Sequence, residues 1–333
     1  MPTDKSELQQ KFIARVKEMI PASHSLVDEL SDILKISNDS AYRRIRGETA
    51  LSIDEVKTLC DHFKISFDAF SVLESGSVTF SYRLARDKDS FIQYLGDIGN
   101  MMNRLVKADS KRIIYAAEDI PLFHLFPFPE LAAFKMFYWI RSVIHDPALQ
   151  EKSFDISHID EVIQKTGHEI AVAYHKTPST EIWSSTVINS MLKQIEYYHE
   201  SGLFEKKDTA KLLCDQLIEL LDHVKKQAAV GTKFLPGEKA ESITGEFTFY
   251  YSEIEIGNNC ILAKLGESGL TYLSHQTFNN IVTSNHAFCN ETENWLNNLM
   301  KKSTVISGVS EKQRNKFFLD LTEQVKVLKE KVS

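Results

Sequence analysis

The residues best suited to do chemistry in this chain form a short arginine-rich stretch near its start, between Ser37 and Gly47. Its candidate binding side chains are Ser37, Asn38, Asp39, Ser40, Tyr42, Arg43, Arg44 and Arg46. Arginine can pair through two hydrogen bonds with guanine or with a phosphate, and asparagine can pair in the same way with adenine. The stretch therefore predicts contact with a nucleic acid. A solvated surface helix with arginines at its favourable C-terminal end would have the same composition.

Local signals place these residues on a helix of about two to three turns. Ser37 can cap the first turn, and Gly47 can adopt the left-handed conformation that ends a helix. Ala41 and Ile45 are four positions apart, so they share one face, and that face can be buried. The other faces are polar, and a helix of this kind fits the major groove of DNA.

Apolar residues at helical spacing predict further helices around this stretch. One ends before Pro21, a second begins after the capping residue Ser25, and another opens with a capping box from Ser52 to Glu55. The expected inward residues of that last helix are Ile53, Val56, Leu59, Cys60 and Phe63, followed by a closing segment at Ile65, Phe67 and Phe70. A tight turn joins the second helix to the arginine-rich one, which predicts a helix-turn-helix within an all-α domain of residues 1–73.

Residues 26–70 resemble the DNA-binding domain of the lambda-repressor/Cro-like (XRE-type) helix-turn-helix regulators. The shared pattern is Ser31, Ile36-Ser37, Ser40, Arg43, Arg46-Gly47-Glu48 and Phe63-x-Ile65-Ser66. The resemblance implies a domain of four or five helices in which residues about 38–46 form the recognition helix. It also implies a dimer that reads an inverted repeat in double-stranded DNA.

The chain departs from the family pattern at two positions. Lys35 occupies the turn where the family has glycine, so a lysine must adopt the left-handed conformation there. Arg44 falls where the family has an apolar residue, and Ile45 is displaced by one position. Either the helix is slightly rotated, or the Arg44 stem packs along the domain with its head at a phosphate.

The charge balance limits which nucleic-acid binders the chain can be. The formal net charge is −7, which argues against proteins coated with basic residues, such as histone-like or ribosomal proteins. Residues 1–73 contain ten Lys/Arg and twelve Asp/Glu, so a DNA-binding face must be a local cluster. The arginine-rich stretch is nearly the only positive patch that this region offers.

Other features predict a cytoplasmic protein. The four cysteines are scattered without a paired spacing, which indicates reduced thiols. The first ten residues are polar and do not form a signal peptide. The most apolar window, residues 122–144, contains prolines and charges that interrupt it too often for a membrane span.

After a short linker at residues 74–78, the pattern predicts one large, mostly helical domain over residues 79–333. Its expected helices are Leu131–Ile144, Ile159–Tyr174, Ser179–His199, Lys206–Ala229, Phe278–Val282, Phe288–Leu299 and a final one capped by Ser310 and Gln313. A small antiparallel β-meander is expected at about 245–274, with a hairpin at residues 257–259. The predicted fold class is therefore mainly α, with this meander as the exception.

The remaining residues show no pattern typical of a catalytic, cofactor or metal site. The eleven histidines lack the spacing of metal ligands. The aromatic stretch at 123–129, with Tyr138 and Trp139, could line a ligand pocket, but a packed core is the better explanation.

Three classes of function follow from these observations. The leading one is a transcriptional regulator, not an enzyme, that binds double-stranded DNA as a homodimer and whose C-terminal domain dimerises and could bind a small-molecule or protein effector. A self-cleaving repressor would need a β-rich domain with a nucleophilic serine and an activated lysine, and the helical pattern argues against it. An interaction adaptor or antitoxin-like protein, which does not act by operator binding, is the alternative.

Overall fold

The computed structural model describes residues 5–20, 24–63, 78–239 and 245–333. Contacts divide the chain into two units, Met1–Phe80 and Ser81–Ser333. The expected closing segment at Ile65, Phe67 and Phe70 lies outside the described residues, as does all of the expected linker except residue 78.

The first unit contains four described helices: α1 (Lys5–Glu18), α2 (Leu26–Leu34), α3 (Asn38–Ile45) and α4 (Ile53–Phe63). Their shared core consists of Phe12, Ile13, Val16, Val27, Leu30, Ala41 and Leu59. The expectation that Ile53 points inward is wrong, because this residue opens α4 next to its cap and is 89% exposed. The capping box at the start of α4 is confirmed: Ser52 Oγ accepts from the Glu55 N–H, and Glu55 accepts from the Ser52 N–H.

The second unit is built on an eight-stranded mixed sheet, so the predicted mainly α fold with a small meander is wrong. The strands are β1 (Ser81–Tyr82), β2 (Lys111–Ala117), β3 (Ser179–Trp183), β4 (Phe247–Tyr251), β5 (Cys260–Leu265), β6 (Ser268–His275), β7 (Asn279–Thr283) and β8 (Thr304–Val305). Their order is β1-β7-β6-β5-β2-β3-β4-β8, and the central β2, β3 and β4 are parallel. The unit is therefore an α/β fold.

Helices cover both faces of this sheet. They are α5 (Lys88–Lys107), α6 (Leu122–Leu125), α7 (Pro129–Tyr138), α8 (Glu161–His175), α9 (Asn189–Glu200), α10 (Thr209–Val230), α11 (His286–Lys301) and α12 (Glu311–Lys331). Alternate residues of a strand point to opposite faces. Ile114 and Ile182 accordingly pack on one face with Leu296 of α11. Tyr115 packs on the opposite face, in the large core that the other helices share.

Four local expectations fail in the second unit. Residues 179–183 form a strand before helix α9, and residues 279–283 form a strand where a helix was expected. Strands β4 and β5 do not form a hairpin, because β2 and β3 lie between them. Ser310 precedes α12 without a side-chain capping bond.

Candidate nucleic-acid interface

The turn between α2 and α3 is closed by two hydrogen bonds that join Ser31 to Ile36. Lys35 adopts the left-handed conformation (φ 53°, ψ 47°) that favours glycine. The N–H of Ile36 donates to the Ser31 carbonyl at 3.1 Å, and Ser31 Oγ donates back to the Ile36 carbonyl at 2.5 Å. Ser31 therefore fixes the direction in which α3 leaves α2.

Helix α3 is held at both ends. Ser37 Oγ accepts from the Ser40 N–H at 3.3 Å, as expected of a capping residue. At the other end, Gly47 has φ 75° and the Glu48 N–H donates to the Arg43 carbonyl at 2.9 Å. These bonds satisfy groups at both termini that the helix itself leaves without partners.

Gln9 of α1 ties the end of α3 to the rest of the unit. Its Nε2 donates to the carbonyls of Arg44 (2.7 Å) and Thr49 (2.9 Å), and its Oε1 accepts from the Leu51 N–H at 2.9 Å. One side chain thereby fixes both sides of the loop that joins α3 to α4. Sequence reasoning missed Gln9, because its partners are backbone groups that carry no sequence signal.

Arg44 connects α3 to α4. Its Nη2 lies 2.7 Å from Glu55 Oε1, and its Nη1 donates to the Ser40 carbonyl at 3.2 Å. Burial alone raises the pKa of the Glu55 carboxyl, but the Arg44 guanidinium and the Ser52 N–H lower the pKa below its ordinary value. Only 17% of the Arg44 side chain is exposed. The guanidinium is therefore held by an acid within the unit, although its position in the sequence predicted a phosphate contact.

The other long side chains of α3 and its C-cap lie in solvent. We call Asn38, Asp39, Tyr42, Arg43 and Arg46 the arginine face; each is exposed. Arg43 Nε is 3.5 Å from Asp39 Oδ2, and Arg46 Nη1 is 3.6 Å from Glu48 Oε1. Exposed ion pairs of this length contribute little free energy. Both guanidinium groups can therefore exchange these partners for an external anion at small cost.

Several acidic residues of the first unit lie elsewhere on its surface. Glu29, Asp32 and Asp61 line a groove that α2 and α4 form. The guanidinium of Arg46 lies 5.8 Å from the centre of the Tyr42 ring, so a cation and an aromatic ring share the arginine face. The unit is thus acidic in sum, and Arg43 and Arg46 lie together on α3 and its C-cap.

Five of the eight predicted site residues thus lie together on the arginine face. Ser37 and Ser40 form the start of α3, where Ser37 is exposed and Ser40 is half-buried. Arg44 is the residue that the structure separates from the others, since it packs against α4. The signal in the sequence was an arginine at a position where an apolar residue was expected. The structure adds its acidic partner on α4, Glu55.

The second unit holds a buried polar cluster that sequence reasoning missed. We call His124, Tyr174, Ser179, Glu181, Trp183 and Lys233 the Glu181 cluster. Trp183 Nε1 donates to Glu181 at 2.8 Å, His124 Nε2 lies 2.7 Å from it, and the Tyr174 hydroxyl also donates to it. Burial alone raises the pKa of Glu181, but His124, Tyr174 and Lys233 lower the pKa below its ordinary value.

Lys233 and Ser179 within this cluster are a pair of residue types that can catalyse acyl transfer. Lys233 Nζ lies 2.6 Å from Ser179 Oγ, and burial lowers the pKa of Lys233 to about 7, against the influence of Glu181. A lysine with a lowered pKa can activate a serine for acyl transfer. Here Ser179 is 3% exposed and Lys233 is fully buried, so a substrate carbonyl has no access to the hydroxyl. The pair therefore belongs to the core.

The described ranges contain no helix that combines the length and the apolar character needed to cross a membrane. They also contain no group of three or more His, Cys, Asp or Glu side chains arranged to hold a metal ion.

Comparisons of the chain with protein-family models, with curated protein sequences and with solved structures found no match.

Proposed function

We propose that this protein is a cytoplasmic transcriptional regulator that binds double-stranded DNA sequence-specifically through α3. The observation that supports the proposal is that the three arginines differ in their contacts and exposure. Arg44 fixes the helix to α4, while the side chains of Arg43 and Arg46 remain 62% and 66% exposed. A helix that is fixed to its domain and carries exposed arginines on its outer face is suited to major-groove recognition.

The chemistry of each side chain defines its proposed role. Arg43 and Arg46 exchange their loose acidic partners for guanine edges or phosphates, to which a planar guanidinium binds through two hydrogen bonds. Asn38 lies at the first turn of α3, where side chains of a recognition helix contact bases, and its amide suits adenine. Tyr42 contacts a neighbouring base or sugar.

Two copies of the chain would recognise an inverted repeat. Half-sites read by a dimer of helix-turn-helix units are centred roughly 34–36 Å apart, which is one turn of DNA. We assign the second unit to dimerisation, and no catalytic role is assigned to the chain.

Selection from random duplexes with the full chain tests this proposal. The expected result is enrichment of an inverted repeat whose half-sites are spaced by one helical turn. Recovery of unrelated sequences, with no common motif after several rounds, would contradict sequence-specific binding.

A protein-interaction adaptor or antitoxin-like protein is a second candidate, and one observation favours it. Asp39 and Glu48 lie beside Arg43 and Arg46 on α3 and in its following turn, so the arginine face is of mixed charge. Such a face also suits a protein surface with complementary charges. A stoichiometric protein partner whose binding requires Arg43 and Arg46, together with no measurable affinity for duplex DNA, would favour this candidate.

A further inference from the structure

A polar cavity in the second unit lies between the end of α7 and helix α9. Its volume is about 530 Å³, which is within the usual range for small-molecule sites. Tyr138, Arg141, Ser142 and His145 line one wall, while Lys193 and Tyr197 belong to the other. On each wall these residues are spaced as one face of a helix, so the cavity is formed by two facing helical stripes. We call it the α7–α9 cavity.

The backbone of the first wall departs from regular helix. Residues Trp139–Val143 form a π-helical turn after α7, and the Ile144 N–H donates to the Trp139 carbonyl at 2.8 Å. His145 follows with φ 59°, a conformation that is uncommon for a residue other than glycine. Single π-helical turns occur frequently at functional sites, because they redirect side chains that a regular helix would place elsewhere.

The charges that line the α7–α9 cavity are of one sign. Arg141 and Lys193 are cationic, and no carboxylate is among the lining residues. Neither side chain forms an ion pair within the described part of the chain. A concave surface lined by one sign of charge concentrates the electric field and attracts ions of the opposite sign.

The floor beside these cations is fixed by a buried network. Gln194 of α9 is 8% exposed; its Oε1 accepts from Lys135 Nζ at 3.3 Å, and its Nε2 donates to Ser190 Oγ at 2.9 Å. Lys135 in turn donates to Asp119 at 2.6 Å, directly after strand β2. Lys135 is therefore neutralised by the half-buried Asp119, whereas Lys193, which precedes Gln194 in the sequence, has no acidic partner among the described residues.

We propose that the α7–α9 cavity binds a small molecule that carries one anionic group, a phosphate or a carboxylate, attached to an apolar or aromatic body. The planar guanidinium of Arg141 and the flexible ammonium of Lys193 bind the anion. Tyr138 and Tyr197 supply flat surfaces for the body of the molecule. The cavity is larger than a bare phosphate requires, which favours a ligand with such a body.

This inference goes beyond the proposed function and does not depend on it, since ligand binding is measured without DNA. If the chain binds DNA, the ligand is a candidate effector of the regulator. If it does not bind DNA, the ligand site is unaffected.

Isothermal titration calorimetry on the full chain, with phenyl phosphate and benzoate as probes, tests the proposal. We expect saturable binding of at least one probe below about 10 mM, a range in which weak small-molecule sites register. The Lys193→Glu variant should weaken that binding at least about tenfold, because it removes one charged contact and adds repulsion. Lys193 is an exposed residue, so the variant should keep the wild-type melting temperature.

Lys211→Glu is the matched control, since Lys211 is also an exposed helix residue but lies outside the cavity lining. It should leave the affinity unchanged. Binding of only one probe would still support the site and would identify its anionic group. Two results would overturn the proposal: no saturable binding of either probe, or equal affinity in the wild type and in a folded Lys193→Glu variant.

Discussion

The two units of this protein use charged residues in opposite ways. In the first unit, Arg43 and Arg46 are exposed with loose acidic neighbours, whereas Arg44 is held within the domain. In the second unit, Glu181 and Lys233 are both fully buried, and their hydrogen bonds are made within the core. Exposed charges cost the fold little and remain available to a partner, whereas buried charges must be satisfied internally. The difference is consistent with the proposed binding role of α3 and with a stabilising role for the Glu181 cluster.

The largest expected effect is that of Glu181→Ala. Truncation leaves the donors of Trp183, Tyr174 and His124 buried without their acceptor, so we expect a loss of roughly 3–5 kcal/mol in the unfolding free energy of the second unit. All three tryptophans (Trp139, Trp183 and Trp295) lie in that unit. Urea unfolding followed by tryptophan fluorescence therefore reports on it.

Glu181→Gln is the control for this prediction, because an amide keeps an acceptor oxygen of similar shape. It should lower the unfolding free energy of the second unit by less than Glu181→Ala does. Equal stability of the wild type and Glu181→Ala would contradict the structural role given to the cluster.

Arg44→Ala should have the next largest effect, this time in the first unit. This substitution removes the ion pair between α3 and Glu55, so the unfolding free energy of the first unit should fall by about 1–2 kcal/mol. Hydrogen exchange of the α3 and α4 amides should become faster by a factor of about 5 to 30. Unchanged exchange would mean that Arg44 is free to bind a phosphate instead.

The pH dependence of the second unit should reveal the buried lysine. Burial lowers the folded-state pKa of Lys233 to about 7, whereas an unfolded lysine has a pKa of about 10.4. Above pH 7 the unfolded chain therefore binds more protons than the folded one, so stability rises with pH. Between pH 7 and 8 the expected gain is about 1 kcal/mol.

The gain should be absent from Lys233→Met, whatever the overall stability of that variant. Comparison of the two slopes cancels the contributions of other titrating groups. A wild-type slope that the variant retains would exclude Lys233 as its source.

The smallest expected effect on stability is that of Arg43→Ala. Its side chain is 62% exposed and its ion pair with Asp39 is loose, so the change should stay within about 0.5 kcal/mol. Thermal unfolding followed by circular dichroism checks this value. A larger loss would place Arg43 with Arg44 among the residues that hold the unit together.

The first unit could be predicted from the sequence because its signals are local. Ser37 caps α3, Ser52 and Glu55 form their capping box, and Ala41 is buried, all within a few residues of the pattern that indicated them. Arg44 could not be placed with the same certainty, since its partner is eleven residues away on another helix.

The sheet of the second unit could not be predicted, because its signals are not local. Residues 179–183 form a fully buried strand with a glutamate at its centre, so neither alternation nor an apolar run marks it. Strands β4 and β5 are neighbours in the sequence but not in the sheet. Pairing across long intervals is decided by packing, and for Glu181 by partners as distant as His124.

The most direct test measures the affinity of the full chain for its selected duplex. Arg43→Ala combined with Arg46→Ala should lower that affinity at least about thirtyfold, since each lost contact contributes about 1–3 kcal/mol. The matched control removes two exposed lysines outside α3, Lys17→Ala with Lys57→Ala, and should lower affinity by less than about threefold. Equal affinity in the wild type and the double arginine variant would contradict the assignment of α3 as the DNA-contacting helix.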